Sequence, residues 1–509
     1  MYSVPTRRAA PLRLDGAAQE DVANLQAQIE RLMPHLRIAV IFAGNKSTPG
    51  SVVYQTSNTR SWKSYEAVAQ NIASSLERLG FRHVQLLPED MHLGDHLRRG
   101  GIHLAWLNSG GVQGFNAAGH ASAMLEMLGV PYVGHNPLTA SILDNKHAFK
   151  AEAVAAGLPT AAFFTWSMAR GPLRPEINSR FQRAFGDYPG PFVVKPVSGR
   201  ASLHVHVVED RASLPDVVRD VYRATENIVL VEQYLSGREF CIAVGGRLTS
   251  HGRRLVRGRD PFTFAALERV LAAEEKIFTS MDLRPITNDR FRPVDAPEDA
   301  ELLKRMRRLA CEVFLEFNLQ SLVRLDLRAD HNGNLYILEA NPKPDLKRPG
   351  EGVTSLICAG LPEVGMDYDD LIYSLLADRL DFLFTHRRGS VEHILDLLET
   401  RQTIAPRLRP GVSAAEADVQ RPAAALPPSP SEASSANRAG GDRGEAHRHH
   451  LRELAASAEK LGDMTTIVNK LAADLNVLAL NAVLETAPAG AEGDAAQTKP
   501  GASKGGRAA

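Results

Sequence analysis

The sequence predicts an α/β protein: an open parallel-sheet region, then an α+β region, then a disordered linker and a C-terminal helix. Three observations carry this. Strand-like and helical segments alternate between residues 36 and 136, as in a parallel sheet with crossover helices. From residue 137 to about 405 the pattern changes to paired strands and separate long helices. Beyond that point the composition shifts to Pro, Ala, Ser and Gly, with too few large apolar side chains to repay the entropy of ordering.

Residues 1–35 read as a polar extension with one short helix over "QEDVANLQAQIERLM". "LRIAVIFAG" is a continuous apolar run of the buried-strand kind. A helical pattern follows in "SYEAVAQNIASSLERLG", then the strand-like "HVQLLP" and "GIHLAWLNSGG", the helical "AAGHASAMLEMLG" and the short "VPYVG". In the second region "GPFVVKPVSG" and "NIVLVEQYLSGREFCIAVGG" read as strands with turns, and "AELLKRMRRLACEVFLEFN" as an amphipathic helix. Helical segments "YDDLIYSLLADRLDFLF" and "SVEHILDLLETR" close the globular part. Residues 406–446 are the linker, 447–486 an amphipathic helix, and 487–509 a disordered tail.

Length and charge bound the function. The 509 residues leave room for two or more domains with a sizeable core. Lys plus Arg equals Asp plus Glu at 59 each, so charge makes no case for nucleic acid or a membrane surface. Cys241, Cys311 and Cys358 are far apart, in no metal-ligand spacing, and suit a reducing cytoplasm. No apolar run reaches the length of about 18 residues a span needs, and no apolar stretch follows the basic N-terminus as a secretory signal would require.

The richest stretch is "SLVRLDLRADHNGNLYILEANPKPDL", residues 321–346. Apolar Val323, Leu325 and Leu327 alternate with Arg324, Asp326 and Arg328, and Asn332-Gly333 favours a two-residue type I′ turn. That turn sets Asp326 opposite Glu339 and Arg324 opposite Asn341. Opposed residues share a face with Cβ atoms roughly 4.5–5.5 Å apart. Two carboxylates so close repel unless a proton or cation lies between them. A hard divalent ion such as Mg²⁺ suits oxygen ligands of this kind, and a solvated face with an Arg–carboxylate pair is the alternative.

With the hairpin in view, residues 36–375 resemble the ATP-grasp superfamily and, within it, the D-alanine–D-alanine ligase-like enzymes. The first region then corresponds to a pre-ATP-grasp domain (36–136) and the second to the ATP-grasp domain (137–405). "RLDL…ILEANPKP" is similar to that family's signature. The resemblance implies that Asp326, Glu339 and Asn341 hold two Mg²⁺ ions, with Mn²⁺ an acceptable substitute, and that Arg324 stabilises the transition state. In "ILDNKHAFKAEAVAAGLPT" Lys146 matches the first nucleotide lysine, and the spacing to Lys150 is family-like. Lys195, in "GPFVVKPVSG", matches the second and is the other residue given a catalytic role. Glu232, Gln233 and Leu235 resemble the segment that grips adenine through main-chain groups, and Glu239 the acid on the ribose hydroxyls. Lys276 falls where a loop closes over the phosphates, with Gly199 and Ser202 in the glycine-rich cover. The activity implied is ATP-dependent carboxylate–amine ligation through an acyl phosphate, in a cytoplasmic enzyme that is commonly a homodimer.

Departures from the family concentrate at the substrate pocket. Trp62 stands where the family places a Glu on the first D-alanine's ammonium, although Ser64 is retained. Asn108 replaces a His, in "NSGGVQGFNAAGH", and Lys343 in "PKPDL" lies where a small-residue turn receives the second substrate. The implied substrates are therefore not strictly two D-alanines. "IVNKLAADLNVLALNAVLETAPAGAEG" resembles the signalling tip of chemoreceptors, until Pro488 interrupts it. Leucines 451, 454, 461, 471, 475 and 478 recur near heptad spacing, as in a helix that pairs with a partner or docks on its own domain. An alternative function follows: an ATP-binding signalling adaptor with little ligation.

Overall fold

The computed structural model describes residues 16–45, 48, 65–114, 116–199, 203–272, 275–277, 287–350 and 355–399. The linker, C-terminal helix and tail expected beyond residue 405 lie outside these residues, as do Trp62, Ser64 and Ser202.

The first region is the expected parallel sheet. Its strands are β1 (Arg37–Phe42), β2 (His83–Pro88), β3 (Leu104–Asn108) and β4 (Tyr132–Val133), in the order β2-β1-β3-β4 and parallel throughout. β1 is buried on both faces from Ile38 to Phe42, as its unbroken apolar run requires. Around it lie α1 (Gly16–Leu32), α2 (Glu66–Leu79), α3 (Leu93–Gly100) and α4 (His120–Leu128). Helix α1 is longer than a short helix in a polar extension: Val22, Leu25, Ile29 and Leu32 form a buried stripe at helical spacing.

Two further helices lead into the second region. Asn136 caps α5 (Pro137–Asp144) by accepting from Thr139 N at 2.9 Å, and Pro137 takes the first turn, where its missing N–H costs nothing. Asn145 caps α6 (Lys146–Ala155) by accepting from His147 N and Ala148 N, both at 3.1 Å. These caps fix Lys146 in the first turn of α6.

The second region holds two larger sheets. One contains β5 (Phe163–Trp166), β6 (Phe192–Pro196), β7 (His206–Val208) and β8 (Val229–Gln233), antiparallel in the order β5-β8-β6-β7. Helices α7 (Ser179–Phe185) and α8 (Leu214–Thr225) cover it over an aromatic core of Phe164, Trp166, Phe181, Phe185 and Phe192. The other is built on β9 (Glu239–Gly245), whose seven residues are all buried. β10 (Leu248–His251) and β11 (Arg254–Arg257) form a separate hairpin, and β12 (Phe262–Thr263) pairs with β9. β13 (Leu267–Arg269), β14 (Phe291–Pro293), β15 (Val323–Ala329) and β16 (Leu335–Asn341) complete the order β14-β13-β9-β15-β16.

Helix α9 (Ala300–Glu316) packs Met306, Leu309, Ala310 and Val313 against this sheet, as its pattern predicts. α10 (Leu356–Ala359), α11 (Tyr368–His386) and α12 (Glu392–Glu399) follow. Ser75 Oγ and Arg78 bond Asp369 on α11 and so tie α2 to it. Among the described residues no helix is long and apolar enough to cross a membrane.

Candidate active site

The β15–β16 hairpin has the expected pairing where the chemistry lies: Arg324 opposes Asn341 and Asp326 opposes Glu339. The two-residue turn does not form. The last pair is Ala329 with Leu335, leaving a loop over residues 330–334 that the Asp330 carboxylate organises. Its Oδ1 accepts from Asn332 N at 2.8 Å and Asn334 N at 2.9 Å, and Gly333 supplies a φ of +79°. The wider loop shifts the register by one, and a bulge at Leu338 shifts it back, because Leu327 pairs with Ile337. The two deviations cancel before Asp326.

Alternation along β15 puts Arg324, Asp326 and Arg328 on one face, and β9 adds Glu239 beside them through its pairing with Arg328. β13 brings Arg269 opposite Glu239 on the other side. The result is a chain of five alternating charges. Arg328 Nη1 lies 3.2 Å from Glu239 Oε2, and Arg269 Nη1 lies 2.9 Å from Glu239 Oε1. Arg269 Nη2 lies 2.9 Å from Asp326 Oδ2. Arg324 closes the row with Nε 2.8 Å from Oδ1 and Nη2 3.0 Å from Oδ2 of Asp326. Burial alone would raise the Asp326 carboxyl, but Arg269 and Arg324 hold it below the usual carboxylate range. Burial likewise opposes the Arg269 charge, and Asp326 and Glu239 outweigh it.

The facing wall carries lysines. Lys146 Nζ donates to Gly199 O at 3.0 Å and lies 3.3 Å from Glu339 Oε2, which brings α6 to the hairpin. Glu232 sits at 2% side-chain exposure between two ammoniums, with Lys150 2.9 Å from Oε1 and Lys195 2.7 Å from Oε2. Burial would raise this carboxyl, yet the two lysines keep it below its ordinary value. Burial also works against the Lys195 ammonium, and Glu232 and Glu339 hold it above its ordinary value. Sequence reasoning assigned Glu232 only a main-chain role. Its carboxylate is a buried counter-ion as well. At the end of β8, Gln233 N donates to Ala162 O at 2.9 Å and Leu235 is buried.

Lys276 is placed differently from the other lysines. Its exposed ammonium pairs with Glu209, while its carbonyl accepts from Arg328 Nη2 at 2.9 Å and Tyr234 Oη at 3.0 Å. Asn108 and Lys343 meet at Tyr65, a residue that sequence reasoning did not single out. Asn108 Nδ2 donates to Tyr65 O at 3.1 Å, and Lys343 Nζ lies 3.0 Å from the centre of the Tyr65 ring. Tyr65 has a φ of 54°, an uncommon conformation for a bulky side chain. Arg269 was also missed. Arg328 was legible, since alternation places it on the face of Asp326.

Asp326, Glu339 and Asn341 offer only oxygen donors, the set a hard cation takes. Three contacts already engage Asp326, so about one of its roughly four lone-pair directions is left. Glu339, with a side chain 33% exposed, is the more open ligand. Asn341 Oδ1 accepts from Lys343 N at 3.2 Å and Glu339 Oε2 pairs with Lys146, each with lone pairs to spare, so the donor set fits a divalent cation that draws mainly on these two residues.

Residues 153–377 match the profile of the family described as D-ala D-ala ligase C-terminus. The chain is 28% identical over 266 residues to the uncharacterized protein y4sG of Sinorhizobium fredii, covering 52% of this chain and 71% of that one. It is 27% identical over 262 residues to the D-alanine–D-alanine ligase of Lacticaseibacillus casei, covering 52% and 64%. To the same-named enzyme of Gloeobacter violaceus it is 26% identical over 311 residues, covering 61% and 92%. Among solved structures, a D-alanine–D-alanine ligase of Bacillus anthracis complexed with ATP overlays with a TM-score of 0.49 at 18% identity, over 69% of this chain and 99% of that one. The family and sequence matches support the expectation of an ATP-grasp ligase and do not favour the adaptor alternative.

Proposed function

We propose that this protein joins a carboxylate to an amine at the expense of ATP, through an acyl phosphate, on substrates other than a pair of D-alanines. The observation that carries this is the meeting of two walls. Lys146 reaches Glu339 at 3.3 Å, so the hairpin bearing Arg324, Asp326, Glu339 and Asn341 lies against the lysines that a triphosphate needs.

A carboxylate is a poor electrophile. Its oxygen attacks the γ-phosphorus, the bond from that phosphorus to the bridging oxygen breaks, and ADP leaves. Lys146 and Lys195 neutralise phosphate charge as this happens, so positioning and electrostatics supply most of the catalysis. The amine nitrogen then attacks the acyl carbon, inorganic phosphate departs and the nitrogen loses a proton. Arg324 donates to the oxyanion formed in between. Asp326, Glu339 and Asn341 would hold Mg²⁺, one ion or two, whose part is to screen the phosphate oxygens.

The altered specificity rests on Asn108, Tyr65 and Lys343, a contiguous group in which Asn108 and the Lys343 ammonium are buried, at positions where the resemblance implies a His and a turn of small residues. Purified protein should release ADP from ATP only when a matching carboxylate and amine are both present, with D-alanine the first candidate because the matching relatives bear that name. ATP binding without ADP release across a panel of amino acids and peptides would refute ligation.

A further inference from the structure

Lys150 is fully buried, with 0% side-chain exposure against 8% for Lys195 and 12% for Lys146. It follows Lys146 by one helical turn on α6, so both point the same way. Its ammonium lies 2.9 Å from Glu232 Oε1, donates to Thr160 Oγ1 at 2.5 Å and lies 3.5 Å from Ile337 O. Burial pushes the Lys150 ammonium towards neutrality, against the attraction of Glu232. A lysine this deep is costly to hold, and its ammonium is already engaged by Glu232, Thr160 and Ile337.

Charge explains what it does. Two ammoniums and one carboxylate leave the Lys150–Glu232–Lys195 group at +1. Without Lys150, the existing 2.7 Å pair of Glu232 and Lys195 would be left neutral. We propose that Lys150 is a positioning residue: by neutralising Glu232 from behind, it leaves the Lys195 charge available to an anionic ligand, the phosphate chain of a nucleotide. This rests on the nucleotide-binding part of the function proposed above.

The test compares Lys150→Met with Lys150→Met/Glu232→Gln. Methionine has a similar length without charge, and the 2.9 Å bond from Thr160 Oγ1 to Ile337 O remains to hold the strand. ADP and adenosine are the probes, titrated calorimetrically without metal. Lys150→Met should weaken ADP at least tenfold and change adenosine less than about twofold. The double variant, in which the Glu232 carboxylate is gone and the Lys195 charge is no longer cancelled by it, should recover ADP affinity to within about threefold of the parent. A purely structural role would weaken both ligands together and show no recovery, and that result overturns the proposal, as does a single variant that binds ADP like the parent. If the single variant does not fold, the double variant is read directly against the parent: ADP affinity within threefold supports the proposal, and a tenfold loss refutes it. A parent that binds neither probe would instead refute the nucleotide reading itself.

Discussion

Arg269 shows how much of this site depends on single side chains. Its guanidinium touches Glu239 and Asp326 at 2.9 Å each, and so sets the distance between the acid matched to ribose and the acid matched to metal. A planar fork can do this, whereas a lysine presents one point charge. Arg269→Lys therefore keeps the charge and loses the spacing. Misplacing a reacting group by about 1 Å costs on the order of a hundredfold in rate. We expect kcat/KM for ATP to fall roughly 10- to 100-fold in Arg269→Lys. Activity within twofold of the parent would show that the spacing is not set there. Alternation along one strand sufficed to group Arg324, Asp326 and Arg328, because a period of two is local. Arg269 was not legible: it sits on a three-residue strand, and its neighbour Glu239 is 30 positions away. Lys150 was noticed for its spacing alone, and nothing local signals that its ammonium ends on a carboxylate from β8.

At the scale of elements, the β15–β16 hairpin warns about reasoning from turns. The pairing of Asp326 with Glu339 followed from an Asn-Gly turn that does not exist, and it survives because a bulge restores the register. Burial selects the final register: Leu335, Ile337 and Ala340 are buried on β16, and a slip would carry their side chains to the other face. Helix α11 carries a different sign of its environment. Asp378 lies beside the chain between β9 and β10, accepts from Leu248 N at 3.2 Å and faces Asp381 and Arg257. Burial first, and Asp381 next, push its carboxyl up to about 6 against the pull of Leu248 N and Arg257. An unfolded Asp titrates near about 3.9, so the folded chain binds this proton more tightly. The stabilisation is full below about pH 4 and is lost as pH rises towards 6, opposite in sign to Asp369 and Asp370, whose carboxyls are held low. Urea unfolding should therefore show the parent losing about 1–2 kcal/mol over that window relative to Asp378→Asn, after allowance for solvent screening. Parallel pH profiles would refute the assignment.

Over the whole molecule, the parallel region was readable because β1 is an unbroken apolar run and strand-like segments alternate with helical ones along it. Helix α1 was only half read. Averaged over residues 1–35 the composition is polar, but the four apolar positions Val22, Leu25, Ile29 and Leu32 fall on one side of a helix and are all buried. That side packs on β11, α11 and α12, and Gln26 Oε1 accepts from Leu255 N at 3.1 Å on β11. Its apolar side chains belong to the same core as β1, α2 and α11. The helix therefore joins the parallel-sheet region to the hairpin of β10 and β11, although it is more than two hundred residues away in sequence. An amphipathic helix of this length is marginal alone, so its order comes from that burial. Ile29 is fully buried, and replacing it by Ala removes three methyl-scale carbons and leaves a cavity. Ile29→Ala should cost about 2–4 kcal/mol in chemical unfolding, while nucleotide affinity of the folded protein stays at the parental value because Lys146, Lys195 and the hairpin lie elsewhere. A loss below about 0.5 kcal/mol would mean that α1 rests on the surface rather than completing the core.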